Sequence, residues 1–279
     1  MSNTNREFQE LTSIDNFLFI TVMQDPKNSK GFLEMLFGVP IDRIEVSGET
    51  EFNYHPKHRS VRLDVYIKDE NNTRYNIEMQ AFRKDSIVKR TRYYHSQIDM
   101  NLISTGTKYK DLPDTFVIFI CDFDPFGKKK YCYTVKNQCV EDSTIEIDDG
   151  VTSIYLSTFG ENTSEVSEGM VNFLDFVHAK AEGSKKDYGD AFVNQLQESI
   201  EEINRIRELG DRYMGLKEWL EDEYDDGRAV GIIEGRKEAL ASLVKKKLEK
   251  GHTLEEIADI LEEDVSVIEE IIKELKEAK

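Results

Sequence analysis

Two short runs alternate apolar and polar residues across one turn: Val61-Arg62-Leu63-Asp64-Val65-Tyr66-Ile67 and Tyr75-Asn76-Ile77-Glu78-Met79-Gln80. Side chains alternate across a strand, so each run reads as a β-strand with one apolar and one polar face. Leu63, Val65 and Ile67 share a face with Ile77, Met79 and Ala81. Arg62, Asp64, Tyr66, Asn76, Glu78 and Gln80 share the other. The turn, Glu70-Asn71-Asn72-Thr73, sets the register. A two-residue Asn-Asn loop opposes Asp64 to Met79 and mixes the faces. A three-residue loop with Asn72 left-handed pairs Asp69 with Thr73, and therefore Asp64 with Glu78 and Arg62 with Gln80. The hydrophobic pattern selects the second.

Facing residues have Cβ atoms ~5 Å apart, and like charges placed so repel. One hard cation between two carboxylates relieves that cost through oxygen ligation. The plainer alternative is an amphipathic hairpin with a solvated polar face, although Asp is depleted in strand interiors.

A strand-borne Asp, a turn and then Glu-x-Gln resemble the PD-(D/E)XK nuclease core, with Gln80 in the place of the usual Lys. The stretch Leu11-Thr12-Ser13-Ile14-Asp15-Asn16-Phe17-Leu18-Phe19, the run Arg90-Thr91-Arg92-Tyr93-Tyr94, and Leu112-Pro113 before an apolar strand add to it. In this order they resemble the Rpn-like recombination-promoting nucleases and PD-(D/E)XK family transposases, over roughly residues 8 to 180. Ile20 and Thr21 stand where that group often has a Lys, so no basic role is carried to that position.

The resemblance implies an α/β fold: a restriction-endonuclease-like mixed sheet flanked by helices. It implies Mg²⁺ (or Mn²⁺) held by Asp64 and Glu78, with Gln80 orienting a water, since an amide does not titrate. Arg90 and Arg92 would hold the phosphodiester. Glu34, on a helix before the first strand, and Tyr94 are auxiliary candidates. The expected activity is metal-dependent DNA cleavage, in recombination or in defence against foreign DNA. A catalytically silent interaction protein on the same fold and a strand-joining transposase are the alternatives.

The net charge of −18 suits a phosphate-binding protein poorly. Residues 1–180 hold 21 basic and 28 acidic side chains, and 181–279 hold 16 and 27. The acid excess is therefore heaviest in the tail. Arg83 to Arg92 carries five basic residues and one acid, and His55, Lys57, His58 and Arg59 precede the Asp64 strand. Cys121, Cys132 and Cys139 lack metal-ligand spacing and an even disulfide framework, which suggests a reducing cytosol. No apolar run approaches 18 residues, so no membrane role is expected.

Along the chain, 14–23 and 30–37 read as helices, Ile44 to Tyr54 as a strand and 85–105 as an amphipathic helix. Phe116-Val117-Ile118-Phe119-Ile120 reads as a strand buried on both faces. Further strands are expected from Lys128 to Val135 and over 151–158. After about residue 160 only helices are expected: 165–180, 188–226, a Gly-spaced joint from Gly227 to Gly235, 236–250, and a pair opening at Thr253 with a Thr253/Glu256 capping box. The domains are thus expected at 1–180 (nuclease-like) and 181–279 (helical and acidic). Glu269, Glu270 and Glu274 make the last helix too acidic to read DNA. The stripes Ile257, Ile260, Leu261 and Ile268, Ile271, Ile272, Leu275 point instead to packing on each other or on a second chain, as a homodimer.

Overall fold

A computed structural model describes residues 15–48, 50–52, 61–83, 86–103, 106, 108–179, 183–206, 208–211, 213, 215 and 239–277. The basic run His55 to Arg59 and the Gly227–Gly235 joint lie outside them. The chain divides into two compact units, Met1–Tyr213 and Met214–Lys279.

Unit 1 opens with α1 (Asn16–Met23) and α2 (Pro26–Phe37). Asp15 caps α1, its Oδ1 accepting the Phe17 and Leu18 N–H groups at 3.0 and 3.3 Å. Asp25 caps α2, with Pro26 at the first helical position. That proline, which falls between the two expected helices, starts the second: its fixed φ suits the first turn, where its missing N–H costs nothing. Gly38, at φ 68°, ends α2 in the left-handed conformation.

The sheet comprises β1 (Ile44–Ser47), β4 (Val65–Asp69), β5 (Arg74–Gln80), β6 (Thr115–Cys121), β8 (Val151–Ser157) and β7 (Cys132–Val135), in that spatial order. β4 pairs antiparallel with β1 and β5; β5, β6 and β8 run parallel; β7 returns antiparallel on β8. A separate pair, β2 (Thr50–Phe52) with β3 (Val61–Leu63), leaves the sheet. The single strand expected from Ile44 to Tyr54 is thus two, serving different partners.

The β4–β5 turn is the three-residue one. Asn72 has φ 69°, the Asp69 N–H donates to Thr73 O at 3.2 Å, and Val65 faces Ile77. Asp69 Oδ1 accepts the Asn71 and Thr73 N–H groups at 2.9 and 2.8 Å, holding the loop closed. Continued one residue past Val65↔Ile77, this register sets Asp64 opposite Glu78.

Strand alternation feeds two apolar layers. Val65, Ile67, Ile77, Met79, Ile118, Ile120, Ile154 and Leu156 pack with α1, α2, α4 (Glu168–His178) and α5 (Ala191–Arg205). Val117, Phe119, Cys121 and Tyr155 pack with Tyr94 and Ile98 of α3 (Ile87–Leu102) on the other face. Burying one Leu, Ile or Phe contributes ~1.5–3 kcal/mol, so each layer matters. Helices on both faces make this a mixed six-stranded sheet flanked by helices, consistent with a PD-(D/E)XK nuclease fold.

The alternative of a solvated polar face does not hold: β5 is buried along its whole length. Leu63 also departs from expectation. It packs with Tyr94 and Ile98, on the face opposite Val65. The chain bends at Asp64, which belongs to neither β3 nor β4, and the bend rotates Leu63 to the other side. Arg62 accordingly stands opposite Glu51 of β2 and not opposite Gln80.

The helix Ala191–Arg205 lies C-terminal to residue 180, yet its Val193 and Leu196 are buried in the core of unit 1. The compact division accordingly falls after Tyr213 and not after residue 180. Unit 2 has a core of its own. Val244, from helical residues 239–249, is buried with Ile257 and Ala258 of helix Leu254–Leu261 and with Ile268 and Ile271 of helix Val265–Glu277. The Thr253/Glu256 capping box is present. Among the described residues no helix is long and apolar enough to cross a membrane.

Candidate active site

The bend at Asp64 builds the site. Where β3 peels away, the ladder opens, and the Asp64 side chain takes over part of it. Asp64 Oδ2 accepts the Met79 N–H at 3.4 Å, and the Asp64 N–H donates to Glu78 Oε1 at 3.3 Å. Asp64 is therefore tied to β5, and Glu78 to the backbone of the bend at Asp64. Both are buried, Asp64 to 7 % exposure and Glu78 to 3 %.

Glu78 receives four donors. Oε1 accepts the Asp64 N–H and Asn76 Nδ2, the latter at 3.0 Å. Oε2 accepts Arg90 Nη2 at 3.4 Å and the Tyr94 hydroxyl at 3.3 Å, both from α3. The Arg90 guanidinium also lies 4.9 Å from the Phe119 ring centroid and 5.5 Å from that of Tyr94, a cation–π seat. Its Nη1 donates to Gln80 Oε1 at 2.9 Å, while Gln80 Nε2 donates to Phe82 O at 2.8 Å. Both ends of the Gln80 amide are thus used, leaving one N–H for a further acceptor.

Burial raises the Glu78 pKa, and the neighbouring Asp64 charge raises it further against the lowering pull of Asn76, Arg90 and the Asp64 N–H. Burial likewise raises Asp64, opposed by the Met79 N–H, Arg62, the Asn16 side chain and Arg90. Two like charges in low dielectric hold a proton that free carboxylates release. Burial and the adjacent Glu78 push the Tyr94 hydroxyl up as well, so it stays a donor.

The group fits a hard divalent cation. Its negative donors are carboxylate oxygens, and Asn76 Oδ1, at the far end of an amide bonded to Glu78, is buried with no hydrogen-bond partner. Among the described residues no cluster of three His, Cys, Asp or Glu forms. Two carboxylates with the remaining positions left to water and substrate oxygen is the pattern Mg²⁺ favours. Of the four Glu78 contacts only that from Asn76, at 3.0 Å, is shorter than 3.3 Å.

Asp64, Glu78, Gln80, Arg90 and Tyr94 therefore come together. Arg92, two residues beyond Arg90 and about 200° round the helix, is exposed. Glu34 does not join the pair. Its Oε1 accepts the Ile41 N–H at 2.9 Å, and Lys30 lies 3.9 Å away. Ile41 leads into β1, whose Ile44 pairs with Asp69 at the turn end of β4. Asp64 lies at the other end, roughly 16 Å along the strand at ~3.3 Å per residue. Glu34 secures the α2–β1 connection.

Two residues of the site received no role from sequence. Asn76 shares the polar face with Glu78 two positions on, so alternation carried its signal. Asn16, at the start of α1, reaches Asp64 from 48 residues away, and no local pattern marks it.

The family model described as PD-(D/E)XK nuclease family transposase matches residues 19–224 of the chain. That span holds every residue of the site except Asn16. No curated protein and no solved structure matches.

Proposed function

The chain belongs to the PD-(D/E)XK nuclease family transposases, and on that premise we propose that it is a metal-dependent endonuclease that hydrolyses phosphodiester bonds in DNA. The observation that carries the reading is the buried pair of Asp64 and Glu78, like charges set opposite each other. A fold keeps such a pair at a cost, and a cation offsets it.

Asp64 and Glu78 would hold Mg²⁺ or Mn²⁺. A divalent cation bound there supplies Lewis acidity to a phosphodiester oxygen and to the attacking water. A Glu78 carboxylate oxygen, or a phosphate oxygen, would accept the proton that the attacking water loses. Arg90 would offer its charge to the phosphate while Gln80 keeps hold of Nη1. Gln80 is then a positioning residue, and its remaining N–H orients the water. Tyr94 fixes Glu78 Oε2. Arg92, exposed on α3, pairs with a neighbouring phosphate.

The second unit serves, in this reading, to pair two copies. Leu243, Leu248, Ile260, Val265 and Val267 remain exposed on it after its own core is closed. A homodimer sets two sites on two strands of a duplex.

The test is plasmid nicking by purified protein with Mg²⁺, Mn²⁺ or chelator, beside Asp64→Ala. Metal-dependent nicking lost in the variant is expected. No nicking by wild type points to a silent interaction protein, and strand joining in the same assay to a transposase in the full sense.

A further inference from the structure

Two residues beyond Gln80, the chain passes from a buried site to a bare ring: Phe82 is 78 % exposed, whereas Gln80 is 6 % exposed. We propose that Phe82, with Arg83 beside it, forms a platform on which an unstacked DNA base rests as its phosphate approaches the site. This rests on the endonuclease reading and adds how the substrate is gripped.

The backbone carrying the ring is not loose. Gln80 Nε2 holds the Phe82 carbonyl at 2.8 Å, and Arg90 holds the same Gln80 amide at 2.9 Å. The backbone that bears the ring is thereby linked to Arg90, which also reaches Glu78 Oε2 at 3.4 Å. Phe82 lies four residues beyond Glu78, at most ~14 Å along the chain and about two nucleotide steps, so a base on Phe82 leaves a nearby phosphate of the same strand at the carboxylates.

The surroundings are cationic. Arg83 lies 5.4 Å over the Phe123 ring and donates to the Asp124 carbonyl. The Asp124 carboxylate gathers the N–H groups of Phe126, Gly127 and Lys129 and the Tyr133 hydroxyl, fixing the loop that bears Lys128, Lys129 and Lys130. Lys129 and Lys130 pair with Glu161 and Glu165. Among the described residues Arg83 and Lys128 have no carboxylate partner. In a chain of net charge −18, a bare aromatic face flanked by uncompensated cations matches one ligand chemistry, a base with its phosphate. A protein partner able to bury the ring is the competing occupant.

The experiment uses the full chain in EDTA, so that binding is read without cleavage, with fluorescent dA12 and a blunt 12-base-pair duplex as probes. Phe82→Ala is expected to weaken dA12 about tenfold, as loss of one stacked base does. Phe82→Trp should restore it. The slope of log affinity on log salt should not change, because stacking releases no counterion. The blunt duplex, whose bases stack on each other, should change by less than about twofold. Equal dA12 affinity of Phe82→Ala and wild type, equal losses on both probes, or no dA12 binding by wild type overturns the proposal. Wild type that nicks plasmid while Phe82→Ala binds dA12 normally overturns the platform alone. Wild type that binds dA12 through Phe82 but nicks nothing overturns the nuclease reading alone.

Discussion

Arg90 Nη2 approaches Glu78 Oε2 to only 3.4 Å, while its Nη1 sits 2.9 Å from Gln80 Oε1. The guanidinium is therefore held more firmly by the neutral amide than by the carboxylate. In the proposed mechanism Gln80 acts largely by holding Arg90, so the two side chains should behave as one unit. Gln80→Ala is expected to lower kcat about tenfold, Arg90→Ala more, and the double variant no more than Arg90→Ala. A double-mutant cycle on kcat measures this coupling. Multiplicative losses would mean that Gln80 acts independently of Arg90.

Asp64→Ala and Glu78→Ala should each lose at least a thousandfold in cleavage and remain folded. Metal should raise the melting temperature of wild type but of neither variant, because a ligand stabilises only the state that binds it. Circular dichroism checks the fold, and thermal shift with and without Mg²⁺ checks the rest. Cleavage at the wild-type rate by either variant would remove the pair from the mechanism.

The pair also makes stability depend on pH. Asp64 is pushed up to about 6 and Glu78 to about 8, burial being the larger cause in both. Unfolded, the two titrate near about 4. From roughly pH 4 to 8 the folded chain thus binds more protons than the unfolded one, so their contribution to stability falls as pH rises. It is full below pH 4 and lost above about 8. Without metal, Asp64→Asn should therefore melt higher than wild type at pH 8, by ~2–4 °C, and equally at pH 4. The stabilisation by Mg²⁺ should be larger at pH 8 than at pH 6, since the cation takes the ionised pair. Parallel melting curves for the two proteins across this range would contradict the account.

Arg92 is exposed where Arg90 is seated among rings. Arg92→Ala should reduce the salt dependence of duplex binding by ~0.9 in log–log slope, the loss of one phosphate contact. Fluorescence anisotropy over a salt series reads it. An unchanged slope moves the phosphate track elsewhere.

The register of Asp64 against Glu78 was legible because it depends on local chemistry: a left-handed Asn72, an Asp69 that closes the loop, and a period of two. The bend at Asp64 was not. Leu63 and Val65 are apolar on whichever face they fall, and when helices cover both faces of a sheet, alternation no longer says which layer receives a residue. For the same reason alternation alone left open a solvated face for Asn76, Glu78 and Gln80, over which α3 in fact sets Tyr94 and Arg90. Glu34 showed the converse: a helical acid before the first strand has the right type, but its position is set by the α2–β1 connection. The helix Ala191–Arg205 reads as part of the tail on composition, yet Val193 and Leu196 belong to the core of unit 1. Contacts between distant segments leave no periodic trace.

The tail stripes read from sequence are largely spent inside one chain. Ile257, Ile268 and Ile271 are buried against Val244, and Leu261 and Ile272 pack at their edges. Ile260 stays 44 % exposed, with Leu243, Leu248, Val265 and Val267 also bare on the same unit. Helices this short are marginal alone, and an exposed apolar set on them favours a partner. Full-length protein should therefore run as a dimer in light scattering and make double-strand breaks. A chain ending after Tyr213, where the compact units divide, should be monomeric and nick single strands, with its melting transition retained because α5 stays in place. Ile260→Glu should dissociate the full-length dimer without unfolding it, since that side chain is not in the unit's buried core. A chain ending at Tyr213 that remains dimeric would put the interface in unit 1. A dimer that survives both Ile260→Glu and Val265→Glu would exclude the exposed set.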